Sequence, residues 1–392
     1  MVAPKKLNIL YIITKLELGG AQKVCLELCK NLQAAGHKTL LISGAEGELV
    51  AQLPNYIADN SQIILLNSFK REVSLKAIWL ECKNFYNLIQ EIKRLKQIYP
   101  DLIVHAHSTK AGLLGRWAAW LAGIKKRVYT IHGYGFNKYQ PKLMAGSIYL
   151  LELITSLITT DYICVSELDL RAGAKLFPGF KRKAKLIRAG VDDQLFMGAR
   201  LASPMSAPVS GAQRKLFIFG TVACFKKQKN LFDLLCAFKY LKNLDTDYNY
   251  KLEIVGDGEL RPEIEAWIKT NNLENDIILH GWQTPENLLT IMCQWQVFSL
   301  TSLWEGLPCA IVEARCLKLP VLAYNTGGIS EVIYHAKNGF LYQQGDWLSL
   351  AQDMYKLAHD NLLYQKLSAY PDDLSNYSYS YMSQAHEKLY FF

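Results

Sequence analysis

The sequence predicts an α/β protein built from two Rossmann-like, doubly wound domains. Three observations carry this. Short β-branched runs alternate with longer helical patterns through the first half of the chain. The alternation stops at a stretch rich in serine and proline, and then starts again. With 392 residues, the chain has room for two domains that each bury a core.

In order, the first half offers strands at Leu7–Ile13, Lys38–Ser43, Gln62–Leu66, Leu102–His107, Arg127–Ile131 and Tyr162–Val165. Between the third and fourth, Leu88, Ile92, Leu95 and Ile98 recur at helical spacing, and Pro100 ends the pattern. Such alternation calls for a parallel sheet with helices on both faces. From Phe196 onward periodicity fades, and Ala-Ser-Pro-Met-Ser-Ala-Pro-Val-Ser-Gly reads as a linker or surface loop. The pattern resumes with Lys215–Gly220, followed by Lys251–Val255, Asp276–His280, Gln296–Leu300 and Pro320–Tyr324. The expected division is therefore a domain over 1–195, a linker over 196–214 and a second domain over 215–376. A Tyr-rich helix over 377–392 should pack back toward the first domain. Two such domains are expected to face each other across a deep cleft, with ligands bound beyond the carboxyl ends of the strands.

Half of the residues are hydrophobic and a fifth are charged, a globular balance. The nine cysteines are scattered without a C-x-x-C pair, as buried reduced thiols would be. Cys25 and Cys29 can meet on a helix, but two thiols alone make no zinc site. No early segment has the order of a signal peptide, and the apolar region from Leu143 to Thr160 is broken by Glu152, so a cytoplasmic location is expected. Charge is uneven. Residues 1–195 hold 27 Lys and Arg against 15 acidic residues, whereas residues 196–392 hold 17 against 20. The basic half suits an anionic membrane surface or a phosphorylated acceptor. No nucleic-acid module is recognisable, so a nucleic acid is not expected as a partner.

The most informative stretch is Glu305-Gly-Leu-Pro-Cys-Ala-Ile-Val-Glu313. Gly306 permits a close turn, and Pro308 suits the first position of a helix. One carboxylate then precedes the helix and the other lies within it, with free amides and the helix dipole between them. Amides and dipole favour a phosphate, and carboxylates accept from sugar hydroxyls. A capped core helix with two solvated acids is the plainer reading. Lys226-Lys-Gln-Lys229-Asn follows the strand beginning at Lys215 and can present an ammonium to a diphosphate, or it is a solvated loop. Gly327-Gly328 follows a strand, and Gly19-Gly20 opens a helix after the first one; paired glycines let backbone approach a ligand, or simply turn. Gly256-Asp-Gly258 is half a dinucleotide fingerprint and is explained by a turn. His132 ends a strand where a ligand crevice is expected. His105 and His107 share a strand face without an evident third ligand. Asp245-Thr-Asp247 sits in a polar loop and is read as structural, so no metal site is expected.

Taken in order, Gly19-Gly20, His132-Gly133, Gly190-Val-Asp192, Gln228-Lys229-Asn230, Gly256-Asp-Gly258, Glu305-x7-Glu313, Pro320-Val321, Gly327-Gly328 and Asn338-Gly339 resemble the motif series of glycosyltransferase family 4, from end to end of the chain. The resemblance implies a GT-B fold. It also implies a retaining, metal-independent transfer of a sugar from a UDP- or GDP-linked donor to a glycan or lipid-linked acceptor, without a cofactor. The surroundings would be surface polysaccharide, lipopolysaccharide or lipid-linked glycan assembly. By the same likeness Glu313 would bind the ribose, Glu305 the donor sugar and Lys229 the diphosphate, helped by Gly306, Leu307 and Pro308. His132 would contact the donor sugar, and Gly19 and Gly20 would let the first loop approach it. Members commonly carry Arg five residues before this Lys, where this chain has Cys224. That departure motivates the alternative of a degenerate transferase kept as a scaffold or partner subunit. A nicotinamide-dependent oxidoreductase would need a complete glycine fingerprint after the first strand, which is missing.

Overall fold

A computed structural model describes residues 6–57, 59, 62–66, 78–202, 216–246 and 248–391. The chain divides into two compact units, Met1–Gly190 with Ser378–Phe392, and Val191–Tyr377.

The first unit contains strands β1 (Asn8–Ile13), β2 (Lys38–Gly44), β3 (Ile63–Leu66), β4 (Leu102–His107), β5 (Lys126–Ile131), β6 (Asp161–Cys164) and β7 (Ala184–Leu186). Its helices are α1 (Gly20–Ala34), α2 (Ile78–Ile98), α3 (Thr109–Leu121), α4 (Lys142–Thr155), α5 (Glu167–Leu176) and α6 (Phe180–Lys183). The strands form one sheet in the order β3-β2-β1-β4-β5-β6-β7, and every pair is parallel. Strands covered on both faces read as unbroken apolar runs, and Ile9 to Ile13 are all fully buried. Helix α1 buries Val24, Cys25, Leu28, Cys29 and Leu32, the i, i+4, i+7 stripe of a helix lying on a sheet.

The second unit opens with α7 (Asp193–Ala202) and continues with β8 (Leu216–Val222), α8 (Leu231–Leu244), β9 (Asn249–Val255), α9 (Arg261–Thr270), β10 (Ile277–Gly281), α10 (Pro285–Met292) and β11 (Val297–Leu300). Then come α11 (Cys309–Cys316), β12 (Val321–Tyr324), β13 (Gly339–Tyr342), α12 (Trp347–His359) and α13 (Asn361–Ser368). Its sheet runs β10-β9-β8-β11-β12-β13, again parallel throughout. Gly220 in β8 is there because the Trp295 indole occupies the space of a side chain: a Cβ would lie 1.9 Å from it.

Three boundaries differ from expectation. The first unit ends at Gly190 rather than 195. Residues 196–202 are helical because Asp192 caps α7 by accepting from the Leu195 amide at 3.0 Å and Phe196 is buried; the rest of the expected linker lies outside the described residues. Pro308 is the residue before α11, with extended backbone (φ −76°, ψ 109°), rather than its first helical residue. Helix α14 (Tyr379–Phe391) belongs to the first unit. His37 Nε2 meets Glu387 at 3.0 Å, the Tyr11 and Tyr390 hydroxyls are 3.1 Å apart, and Lys126 donates to the Leu389 carbonyl.

Candidate functional site

In an open parallel sheet the ligand crevice lies beyond the carboxyl ends of the two strands where the winding reverses. In the second unit these are β8 and β11, neighbours in space though separated in sequence. The loop after β8 carries Gln228, Lys229 and Asn230, and the loop after β11 carries Thr301 to Pro308. They are laced together. Gln228 Nε2 donates to the Trp304 carbonyl at 2.7 Å, the Leu303 amide to the Gln228 carbonyl at 2.8 Å and the Thr301 hydroxyl to the Asn230 carbonyl at 2.9 Å. Asn230 holds a left-handed backbone (φ 47°), which asparagine tolerates, and so turns the chain from Lys229 into α8.

This lacing brings Lys229 Nζ to 2.5 Å from Glu305 Oε1, with the lysine side chain 16% and the glutamate 7% exposed. Burial alone would lower the lysine pKa. Glu305, the nearby Cys224 and the hydrogen bond to Glu305 reverse this, so its pKa is raised and the ammonium is kept. Burial pushes the thiol of nearby Cys224 up, against the pull of Lys229 and Lys226. Behind Glu305 stands Gly327 at φ +55°, where a Cβ would lie 2.3 Å from the Glu305 carbonyl oxygen; the Gly328 amide donates to the Gly306 carbonyl at 2.6 Å. The two glycines thus hold the Glu305 loop against the loop after β12. Gly306 and Leu307 lead to Pro308, which has no polar side chain to cap α11, so the helix presents its N-terminus beside this loop. Glu313 lies one turn further into α11 and is 8% exposed.

The remaining predicted residues belong to the first unit. Gly19 is the residue before α1 and Gly20 its first residue, beyond the carboxyl end of β1. The loop before them is braced by residues 46–49. The Leu16 amide donates to the Glu46 carbonyl at 3.1 Å, the Leu18 amide to Glu48 at 3.3 Å, and a Cβ on Gly47 would lie 2.3 Å from the Leu16 backbone. His132 follows β5. Its Nε2 shares a 3.0 Å hydrogen bond with His107 Nδ1 at the end of β4. Burial pushes the His132 pKa down to about 3, with His386 adding to the shift, so the imidazole is neutral.

Sequence reasoning missed His107 as the partner of His132, Gly47 as a brace and Ser108, a non-glycine at φ +66° whose hydroxyl is 2.7 Å from that of Thr14. Only the two-residue spacing of His105 and His107 hinted at the first. The readings of Gly256-Asp-Gly258 and Asp245 as structural agree with their contacts. Gly256 passes the Ala223 carbonyl, with a Cβ there lying 2.0 Å away, and Asp245 accepts from the Tyr250 hydroxyl at 2.9 Å. Among the described residues, no group of three or more His, Cys, Asp or Glu is placed to hold a metal, and no helix is long and apolar enough to cross a membrane.

Residues 18–195 match the family model described as Glycosyltransferase Family 4, and residues 206–373 that described as Glycosyl transferases group 1. A similar protein of Escherichia coli, UDP-Gal:alpha-D-GlcNAc-diphosphoundecaprenol alpha-1,3-galactosyltransferase, is 30% identical over 91% of this chain and 89% of its own. The capsular polysaccharide biosynthesis glycosyltransferase CapM of Staphylococcus aureus is 24% identical over 82% of this chain and 81% of its own. Among solved structures, Anabaena HepE in complex with UDP-glucose superposes with a TM-score of 0.77 at 18% identity, covering 98% of this chain and 100% of that one. That likeness shows a shared fold, two Rossmann-like domains of the GT-B type.

Proposed function

Since the chain belongs to glycosyltransferase family 4 and is a nucleotide-sugar-dependent enzyme, we propose that it transfers a hexose from a UDP-linked donor to a lipid-diphosphate-linked saccharide, retaining the anomeric configuration and using no metal or cofactor. UDP and the lipid-linked acceptor are drawn from the name of the E. coli relative, and polysaccharide assembly also from that of CapM. Work on such an acceptor places the enzyme peripherally at the cytoplasmic face of a membrane.

The observation that carries this reading is the Lys229–Glu305 pair at the reversal point of the second sheet, beside the uncapped N-terminus of α11. A diphosphate arriving there competes with Glu305 for the ammonium. Lys229 and the α11 amides then stabilise the charge that develops on the leaving diphosphate, and Glu305 is released to accept from hydroxyls of the sugar. Glu313 accepts from the ribose hydroxyls, and neutral His132 donates to a sugar hydroxyl. Gly19 and Gly20 let the first loop come close to a ligand once the flexible Gln22 side chain, whose Oε1 lies 2.6 Å from where a Gly19 Cβ would be, turns aside. The donor C1–O bond to the diphosphate breaks, a C1–O bond to the acceptor oxygen forms on the same face, and the acceptor proton passes to a donor phosphate oxygen.

Calorimetry with UDP-galactose, UDP-glucose and GDP-mannose in EDTA tests this, together with NMR of the product. Lys229→Ala should weaken UDP-sugar binding tenfold to a hundredfold or so, the loss expected for about 1.5–3 kcal/mol of charge-assisted contact. Absence of binding and hydrolysis with every donor would refute the reading. Activity abolished by EDTA would remove metal independence, and a β-linked product from an α-linked donor would remove retention.

A further inference from the structure

Helix α4 of the first unit is amphipathic the wrong way round for a soluble protein. Its one carboxylate, Glu152, is 5% exposed and paired with the fully buried Arg116 at 2.8 Å. Thr155, also inward, accepts from the Trp117 indole at 2.9 Å. The outward side presents Leu143, Leu150 and Ile154, continued by Leu157 in the turn after the helix, with Leu143 85% and Leu157 78% exposed and Met144 and Leu151 beside them; Ser147, between Leu143 and Leu150, turns its hydroxyl back to the Leu143 carbonyl at 2.8 Å. A run of exposed large apolar side chains of this kind marks an interaction surface.

Its surroundings identify the occupant. The loop joining α5 to α6 lies alongside α4: the Tyr149 hydroxyl donates to the Leu176 carbonyl at 3.4 Å, and the Tyr149 and Phe177 rings stack at 6.0 Å. That loop borders an open surface pocket of about 310 Å³ whose wall includes Lys175, Lys181 and Arg182, all three exposed. Lys142 opens the helix and is exposed as well, and no carboxylate lies on the outward side of α4. Lys183 and Arg127 are spoken for, since they cap the carbonyls of Ser156, Thr159 and Ile158 at the end of the helix.

We propose that α4 docks the enzyme on an anionic lipid bilayer, lying flat with Leu143, Leu150, Ile154 and Leu157 among the acyl chains and Lys142, Lys175, Lys181 and Arg182 against lipid phosphates. Fourteen helical residues are too short to span a bilayer but suffice for an interfacial helix. Pairing the stripe with a second copy would bring like-charged rims together, whereas a bilayer supplies both tails and phosphates. The assignment rests on the proposed lipid-linked acceptor for its purpose, while the docking itself needs no acceptor.

Flotation with acceptor-free vesicles of phosphatidylglycerol and phosphatidylcholine tests it, with UDP-galactose affinity measured on the same preparations. The wild type should float. Leu150→Glu/Ile154→Glu changes exposed residues outside the donor machinery, so it should keep donor affinity yet lower vesicle binding about tenfold or more. Lys181→Ser/Arg182→Ser should weaken binding to anionic vesicles, as should salt that shortens the Debye length from about 10 Å to about 3 Å. The proposal is overturned if the wild type stays unbound, or if the glutamate variant floats equally well. It is also overturned if the wild type is a dimer in solution that the glutamate variant dissociates, without vesicle binding by either. Flotation preserved in a protein that binds no nucleotide sugar would support the docking and sink the proposed donor chemistry instead.

Discussion

Lowering the pH from about 7.5 to about 5.5 should selectively loosen the first unit, because four of its histidines have no room for a proton. His105 has both ring nitrogens engaged, by the Tyr390 hydroxyl at 2.6 Å and the Thr130 hydroxyl at 2.7 Å. His386 uses Nδ1 on the Met382 carbonyl at 2.7 Å, and His107 and His132 face each other nitrogen to nitrogen. Burial lowers all four, with repulsion from neighbouring histidines adding to the shift at His105, His107 and His132; His386 falls to about 4 and His132 to about 3, with His105 and His107 well below the ordinary value. Tyr11 and Tyr390 pack against them and burial raises both phenols, so these neighbours supply no compensating charge. The unfolded chain takes up protons near pH 6.5 while the folded one refuses them until the lowered values are reached. The unfolded state therefore binds more protons, and stability falls with falling pH through this window. At pH 5.5 each histidine costs about 1.4 kcal/mol, so the four cost about 5–6 kcal/mol, comparable with the whole stability of a small domain at about 5–15 kcal/mol. Hydrogen exchange read by mass spectrometry separates the units. After correction for intrinsic exchange, peptides spanning 102–132 should lose several kcal/mol of opening free energy, more than peptides spanning 216–255. An unchanged opening free energy for 102–132 at the two pH values would refute the argument.

Three further outcomes follow from contacts already described. Gly327→Ala puts a Cβ 2.3 Å from the Glu305 carbonyl at φ +55°, so the Glu305 loop must move; UDP-sugar binding by calorimetry should fall about tenfold or more, and full affinity would show that the loop position is immaterial. Arg116→Met leaves Glu152 buried without its partner and should cost about 3–5 kcal/mol in denaturant titrations, whereas Arg116→Met/Glu152→Leu should cost less than the single change. Equal losses would mean that packing, and not the stranded charge, dominates. Cys224→Arg adds a guanidinium near the Lys229–Glu305 pair and should tighten UDP-sugar binding by about tenfold; a large gain from an inert parent would favour the degenerate reading, and no gain would mean the position does not reach the diphosphate.

Periodicity carries the two-sheet architecture well because parallel strands are covered on both faces, so β1 and β8 stand out as apolar runs. It misses β7, three residues at a sheet edge with exposed Lys185, and β13, half-buried and glycine-led, since neither has enough apolar length to register. Lys229 and Glu305 can each be picked out by strand ends and helix starts, but their pairing spans 76 positions and depends on backbone lacing invisible in either segment. The same holds for His107 with His132. Proline's fixed φ suits both the first helical position and the extended residue before it, so the sequence alone does not separate the two for Pro308.

The discontinuity of the first unit has a consequence for biosynthesis. Tyr390 completes the hydroxyl and imidazole network around Tyr11 and His105, yet it is translated only after every residue of the second unit. A ribosome-bound chain therefore carries β1 and β4 for most of synthesis with this network unsatisfied, and the body begun first is finished last. A stop codon ahead of Tyr379 should accordingly injure the amino-terminal sheet while sparing the fold made just before it.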